Sequence, residues 1–122
     1  MVINLNRFKE FNAMHGHIRG DELLIEVSEL IDRELDHLDV ACRVGGKWHV
    51  LLVGEDRESA GKIAEGIISS FEKIPPTRSA ITNLSISLSM YNPGEGEKAL
   101  IERVDDALLE ARRVGGNTCR IV

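Results

Sequence analysis

"RVGGKWHVLLVG", residues Arg43 to Gly54, reads as two short apolar strands joined by a tight Gly45-Gly46 turn. Directly after the glycines, at the tip of the turn, come a cation, an indole and an imidazole: Lys47, Trp48 and His49. "DVACRV" (39–44) forms the first arm and "KWHVLLV" (47–53) the second.

Helical patterns flank the hairpin. "GDELLIEVSELIDREL" (20–35) places Leu23, Leu24, Val27, Leu30, Ile31 and Leu35 along one helical face. Before it, "VINLN" (2–6) alternates at the strand period, and "RFKEFNAMHGH" (7–17) reads as a short helix closed by Gly16. After the hairpin, "DRESAGKIAEGIISSFEKI" (56–74) is amphipathic, with Asp56 as N-cap and Pro75-Pro76 as its stop. "ITNLSISLSMY" (81–91) alternates apolar with small polar residues, as in a strand of a sheet covered on one face. "EKALIERVDDALLEARRVGG" (97–116) is a third long helix ending in glycines, and "NTCRIV" (117–122) is a last strand. The predicted order is βααββαβαβ, an α+β sandwich with helices packed on one sheet.

The bulk numbers agree with one domain over residues 1–122. With 43% hydrophobic residues the chain can bury a real core, and no repeat, linker or low-complexity stretch divides it. A net charge of −5 with interspersed signs argues against a nucleic-acid or anionic-membrane surface. No apolar run approaches the ~20 residues of a membrane span, and "MVINLNRFKE" has no basic n-region before a long apolar stretch. Cys42 and Cys119 make no disulfide framework and are expected as buried, reduced thiols, in keeping with a cytoplasmic protein. His15, His17, His37 and His49 lack the spacing of a zinc site.

Several spaced residues resemble one family. "NLNRFKEFNAMHGHIRGDELL" is similar to the opening of the GGDEF domain, the diguanylate cyclase fold, whose pattern is Asp-x-Asp-x-Phe-Lys-x-x-Asn…Gly-His-x-x-Gly-Asp-x-x-Leu. Phe8, Lys9, Asn12, Gly16, His17, Gly20, Asp21 and Leu24 match it. "RVGGKWHVLL" falls at the family's hairpin, Arg-x-Gly-Gly-Asp/Glu-Glu-Phe. "LSISLS" resembles its Thr-x-Ser-x-Gly strand, and "DDALLEARRVGGN" its closing helix, Asp-x-Ala-Leu-Tyr-x-Ala-Lys-x-x-Gly-Arg-Asn. The resemblance implies a nucleotidyl-cyclase palm-like α+β sandwich with a central, mostly antiparallel sheet. The helix and Asp-x-Leu-Thr-Gly-Leu-x-Asn-Arg turn that usually precede the first strand fall outside these residues, as in a naturally shortened domain or a piece of a longer protein.

Family members join two GTP molecules into cyclic di-GMP, one GTP per half-site of a dimer, with magnesium held by carboxylates. The ligand positions implied by the resemblance are Asn4 and Lys47, and the second acid of the opening motif is Asn6. The fourth signature position, a Glu in the family, is Trp48, and the fifth, a Phe, is His49. Replacing two acids by an amide and an ammonium changes the local charge by roughly three units. The family's inhibitory Arg-x-x-Asp corresponds to "DHLD", with Asp36 in the Arg position and Asp39 kept. Of the phosphate-contacting positions, Lys9 is kept, Arg112 replaces a lysine, and Gly116 replaces an arginine. The guanine-reading residues are matched by Asn12 and Asp21, with Leu24 as the apolar wall.

Plainer readings stand beside these. Asn12 and Asp21 are also helix-capping residue types. Lys47 reads first as an exposed turn lysine with no role and second as a phosphate contact, and Trp48 first as packing, partly exposed at a turn, and second as an anchor for a partner. The expectation is a catalytically inactive GGDEF domain with a regulatory or protein-interaction role in bacterial cyclic di-GMP signalling. GTP is its candidate ligand, and a second copy or other domains of a signalling protein its candidate partners. Magnesium enters only under the alternative of an active cyclase that uses Asn4 and a backbone carbonyl as ligands. A third reading is a dimerisation platform with no nucleotide role.

Overall fold

A computed structural model describes residues 1–122. The elements are β1 (Val2–Asn6), α1 (Phe8–His15), α2 (His17–Glu34), β2 (Val40–Val44), β3 (Lys47–Leu51), α3 (Arg57–Glu72), α4 (Pro76–Ser79), β4 (Asn83–Leu88), α5 (Glu97–Arg113) and β5 (Thr118–Ile121). They form the expected order with one addition, the short α4, which begins on Pro76. Proline's missing N–H does no harm at a first helical position, so the residue that stops α3 also starts a turn of helix. Asp56 is the N-cap of α3, accepting a hydrogen bond from the Ser59 N–H at 2.8 Å.

The five strands lie in the order β2-β3-β1-β4-β5. β1 is the middle strand, antiparallel to β3 and β4, and only the β4–β5 pair is parallel. On one face Ile3, Leu5, Trp48, Val50, Leu84 and Ile86 pack with the apolar stripe of α2, with Phe11 of α1, and with Ala64, Ile67 and Phe71 of α3. On the other face α5 lays Val104 and Leu108 against Val2.

That second layer corrects the reading of β4 as covered on one face only. Ser85 and Ser87 are fully buried, as are Leu84 and Ile86 on the opposite side. Alternation with small polar residues here marks where a helix approaches the sheet closely, not where the sheet meets water. α5 leaves the β2–β3 end of this face open. There Val40, Cys42, His49, Leu51, Tyr91 and Ile101 help line an apolar groove of about 570 Å³. β2 is an edge strand, so Cys42 is exposed rather than buried as expected. Cys119 is half-buried, and burial pushes its thiol up to about 11, an unreactive protonated group at neutral pH. No helix is long and apolar enough to cross a membrane.

A polar knot fastens the β4–α5 connection. The Arg103 guanidinium donates to both Glu95 oxygens, at 2.7 and 2.8 Å, to Ser89 Oγ and to the Met90 carbonyl. The Asn92 N–H adds a third bond to Glu95. The Arg103 bonds first, then the Asn92 N–H, hold the Glu95 carboxyl down from 4.5 to about 2. Because the folded form resists protonation, this contribution is complete above about pH 4.5 and is lost as pH falls from there towards 2. Acid unfolding of Glu95→Gln is therefore expected to depend less steeply on pH across that window. An unchanged pH slope would mean that the knot carries no linked stability.

Candidate functional site

The site is built where three pieces of chain meet at one end of the sheet: the end of β1, the β2–β3 turn, and the α1–α2 corner. The Leu5 N–H donates to the Gly46 carbonyl at 2.8 Å, and Gly46 lies against the ring of Phe8 at the start of α1. The hairpin turn is thus pinned to the β1–α1 junction.

Asn4 lies directly opposite Lys47 across the β1–β3 pair, and opposite Ser85 across β1–β4. Its side-chain N–H donates to Asn6 Oδ1 at 2.7 Å. Asn6 in turn donates to Asn83 Oδ1 and Ser85 Oγ, and Asn83 to the Gly115 carbonyl. This amide ladder ties β1 and β4 to the end of α5. Lys47 is the first residue of β3 rather than the turn tip, and its ammonium is 3.8 Å from Asp105 Oδ1 on α5. That oxygen is buried and accepts no hydrogen bond. Asp105 opens the closing-helix match to the family pattern, but nothing in the sequence ties it to Lys47, 58 positions earlier in the chain.

Magnesium demands hard oxygen donors in near-octahedral array. Across the strand pair this chain supplies one neutral amide oxygen, at Asn4, and an ammonium, at Lys47. Nowhere do three His, Cys, Asp or Glu side chains gather in a metal-binding group. With Lys47 between them, the Asn4 amide oxygen and the single Asp105 carboxylate fall short of the oxygen set magnesium takes.

Trp48 is buried, as its default reading as a packing residue has it and not partly exposed at the turn, with its indole N–H donating to Ser28 Oγ on α2 at 3.0 Å. The strand alternation explains both faces. Trp48 and Val50 point into the main core, while Lys47, His49 and Leu51 lie on the α5 side.

Asn12 and Asp21 sit inside α1 and α2, so capping does not explain them. Asn12 Oδ1 is buried without a partner in the α1–α2 seam. It lies so close to Gly20 that a Cβ there would come within 1.7 Å of it. Only glycine fits, which accounts physically for Gly20 preceding Asp21. Asp21 and Leu24, one exposed and one buried, line a cleft of about 470 Å³ with Ser28 and Arg43.

At α1 the N-cap residue is Arg7, with left-handed backbone and no capping side chain, so the first N–H groups of the helix have no cap. Lys9 and Arg112 are exposed and take part in none of the ion pairs. Gly116 has φ +88°, and a Cβ there would fall 2.0 Å from Asn83 Oδ1. The missing arginine is thus replaced by a backbone conformation with no room for one. Asp39, the kept acid of "DHLD", accepts from the Asp36 and Val53 N–H groups and so braces the turns around the hairpin, while Asp36 is exposed beside His37.

A five-stranded mixed sheet flanked by helices, with hairpin and helical corner converging on one polar end, defines an α+β domain of the cyclase type. The family model described as diguanylate cyclase, GGDEF domain, matches residues 1–118, and the chain belongs to that family. Diguanylate cyclase A of Treponema denticola is 32% identical over 122 residues, covering 96% of this chain and 33% of the relative. Diguanylate cyclase DgcM of Escherichia coli is 31% identical over 118 residues, covering 96% and 29%. The chain therefore spans about a third of these relatives. Among solved structures, an active GGEEF domain of a diguanylate cyclase from Vibrio cholerae superposes with TM-score 0.86 at 30% identity, covering 98% of this chain and 79% of that one. The diguanylate cyclase SiaD of Pseudomonas aeruginosa, solved with its activator SiaC, gives 0.85 at 25% identity, covering 99% and 48%.

Proposed function

We propose that this chain is a catalytically inactive GGDEF domain with a regulatory or protein-interaction role in cyclic di-GMP signalling, holding a guanine nucleotide without turning it over. The observation that carries the reading is the Asn4–Lys47 pair across β1 and β3. Where joining two nucleotides needs a carboxylate-held metal, the strand pair offers an amide and a positive charge. The α1–α2 seam supports the nucleotide half of the reading. Asn12, Gly20, Asp21 and Leu24 lie together there, and a guanine edge offers N–H donors to an amide oxygen and a carboxylate. With Asp39 engaged in turns and Asp36 an acid, "DHLD" is not expected to grip the phosphates of a second, inhibitory nucleotide.

Calorimetric titration with GTP is expected to give saturable binding that Asp21→Ala abolishes, and incubation with GTP and magnesium or manganese no cyclic di-GMP. Robust product would establish the active-cyclase alternative instead. No heat at high GTP would leave the reading without its nucleotide half.

One observation favours the dimerisation platform. The apolar groove lies beside the unpaired edge of β2, and a second copy laid over this corner would cover its apolar side chains. Sedimentation decides this: a monomer at high concentration removes it.

A further inference from the structure

We propose that the Lys47 ammonium is the site's own resident cation, and that it gives this domain a metal-independent grip on the phosphates of a nucleoside triphosphate. The inference rests on the guanine-nucleotide reading above and goes beyond it, from absence of a metal to a replacement for one.

Three features of Lys47 carry it. The first is position: it faces Asn4 across the strand pair, at the junction of β1, the hairpin turn and the uncapped start of α1. The second is how it is held. Asp105 Oδ1 stands 3.8 Å from Nζ, close enough to pair charges and too far for a hydrogen bond. The ammonium is therefore attracted to α5 without donating to it. The third is what it leaves free. None of its three N–H donors is engaged by a protein acceptor, and the side chain is half-exposed on the side away from the core.

Such a group is poorly employed as a structural ion pair. It keeps a half-buried charge in place while every donor stays open. A compact point charge with three free donors is well suited to phosphate oxygens. Asp105 would then do for the ammonium what backbone and carboxylates do for a metal, keeping it over the strand end. The same ammonium repels any divalent ion brought with the nucleotide.

The test is titration of the intact chain with GTP and, separately, with inorganic tripolyphosphate, each in EDTA and in millimolar magnesium. GTP is expected to bind in EDTA at least as tightly as in magnesium. Lys47→Gln should weaken GTP and tripolyphosphate about tenfold in EDTA, the loss of one charge-assisted contact, and Lys47→Arg should restore most of it. Binding of GTP only with magnesium would overturn the inference while leaving the guanine site standing. Equal binding by wild type and Lys47→Gln in EDTA would also overturn it. Tripolyphosphate binding that depends on Lys47, without any gain from the guanosine part, would support the phosphate grip and remove the guanine reading. Silence with both ligands removes both. Circular dichroism guards the comparison, since Lys47 lies outside the core and its variants are expected to fold.

Discussion

Trp48→Ala is expected to cost about 3–5 kcal/mol of folding stability, the range for removing a buried tryptophan. The indole is 2% exposed and belongs to the main core cluster with Ile3, Val27, Ile31 and Val50. Its Cα lies opposite Ile3 on β1 and Arg43 on β2, so the ring is held from both neighbouring strands before α2 closes over it. The alanine variant leaves a cavity at the centre of the sheet and orphans the Ser28 hydroxyl that now accepts from the indole. Trp48→Phe refills most of the space but not the hydrogen bond, so it should cost a smaller ~1–2 kcal/mol. Urea unfolding with an unchanged m-value measures both. A loss below about 1 kcal/mol for the alanine variant would mean that the core does not close over this ring. The expectation bears on function as well as on stability. With Trp48 fixed inward, strand alternation forces Lys47, His49 and Leu51 onto the α5 side, beside Val40 and Cys42 of β2, and Lys47 is the hairpin's charged group there.

This chain of consequences was legible in part from the sequence. The hairpin, its glycine turn and the helix faces are local patterns, and each is present with its ends shifted by a few residues. Asn4 and Lys47 are linked in the sequence only as the ligand positions that the family resemblance implies, and the register that sets them opposite each other comes from the structure. The pairing of Asp105 with Lys47 was not legible, because a contact between β3 and α5 across 58 residues leaves no periodic trace. The burial of Ser85 and Ser87 was missed for a related reason: alternation reports that two faces differ, but not whether the second meets water or a helix. Cys42 was misplaced because an edge strand and an inner strand share one composition, and only pairing order separates them. Trp48 had the opposite weakness. Its residue type spoke for packing, and its place beside the glycines spoke for exposure. The register with Ile3 decides for packing.

If the chemistry of this site is set by residue identity on an otherwise competent fold, the double substitution Asn4→Asp, Lys47→Glu should create a magnesium site where none is expected now. The two positions face each other across β1 and β3, and the introduced side chains would supply the hard oxygens that magnesium requires. Without metal the variant should be less stable than wild type. A carboxylate at position 4 cannot donate to Asn6 Oδ1 as the Asn4 amide does, and one at position 47 would face Asp105 with like charge. Those penalties are the source of the linkage. A cation that relieves them binds the folded state alone, and at a hundred times its Kd it adds about 2.7 kcal/mol. Thermal unfolding in EDTA and in millimolar magnesium is the measurement: a clear rise in Tm for the double variant, and none for wild type. An equal rise in wild type would mean that Asn4 already holds metal with backbone help, and would put the active-cyclase alternative ahead of the inactive one. No rise in either would place the obstacle in the backbone at this end of the sheet. Backbone geometry as well as side-chain identity would then stand between this end of the sheet and a bound metal.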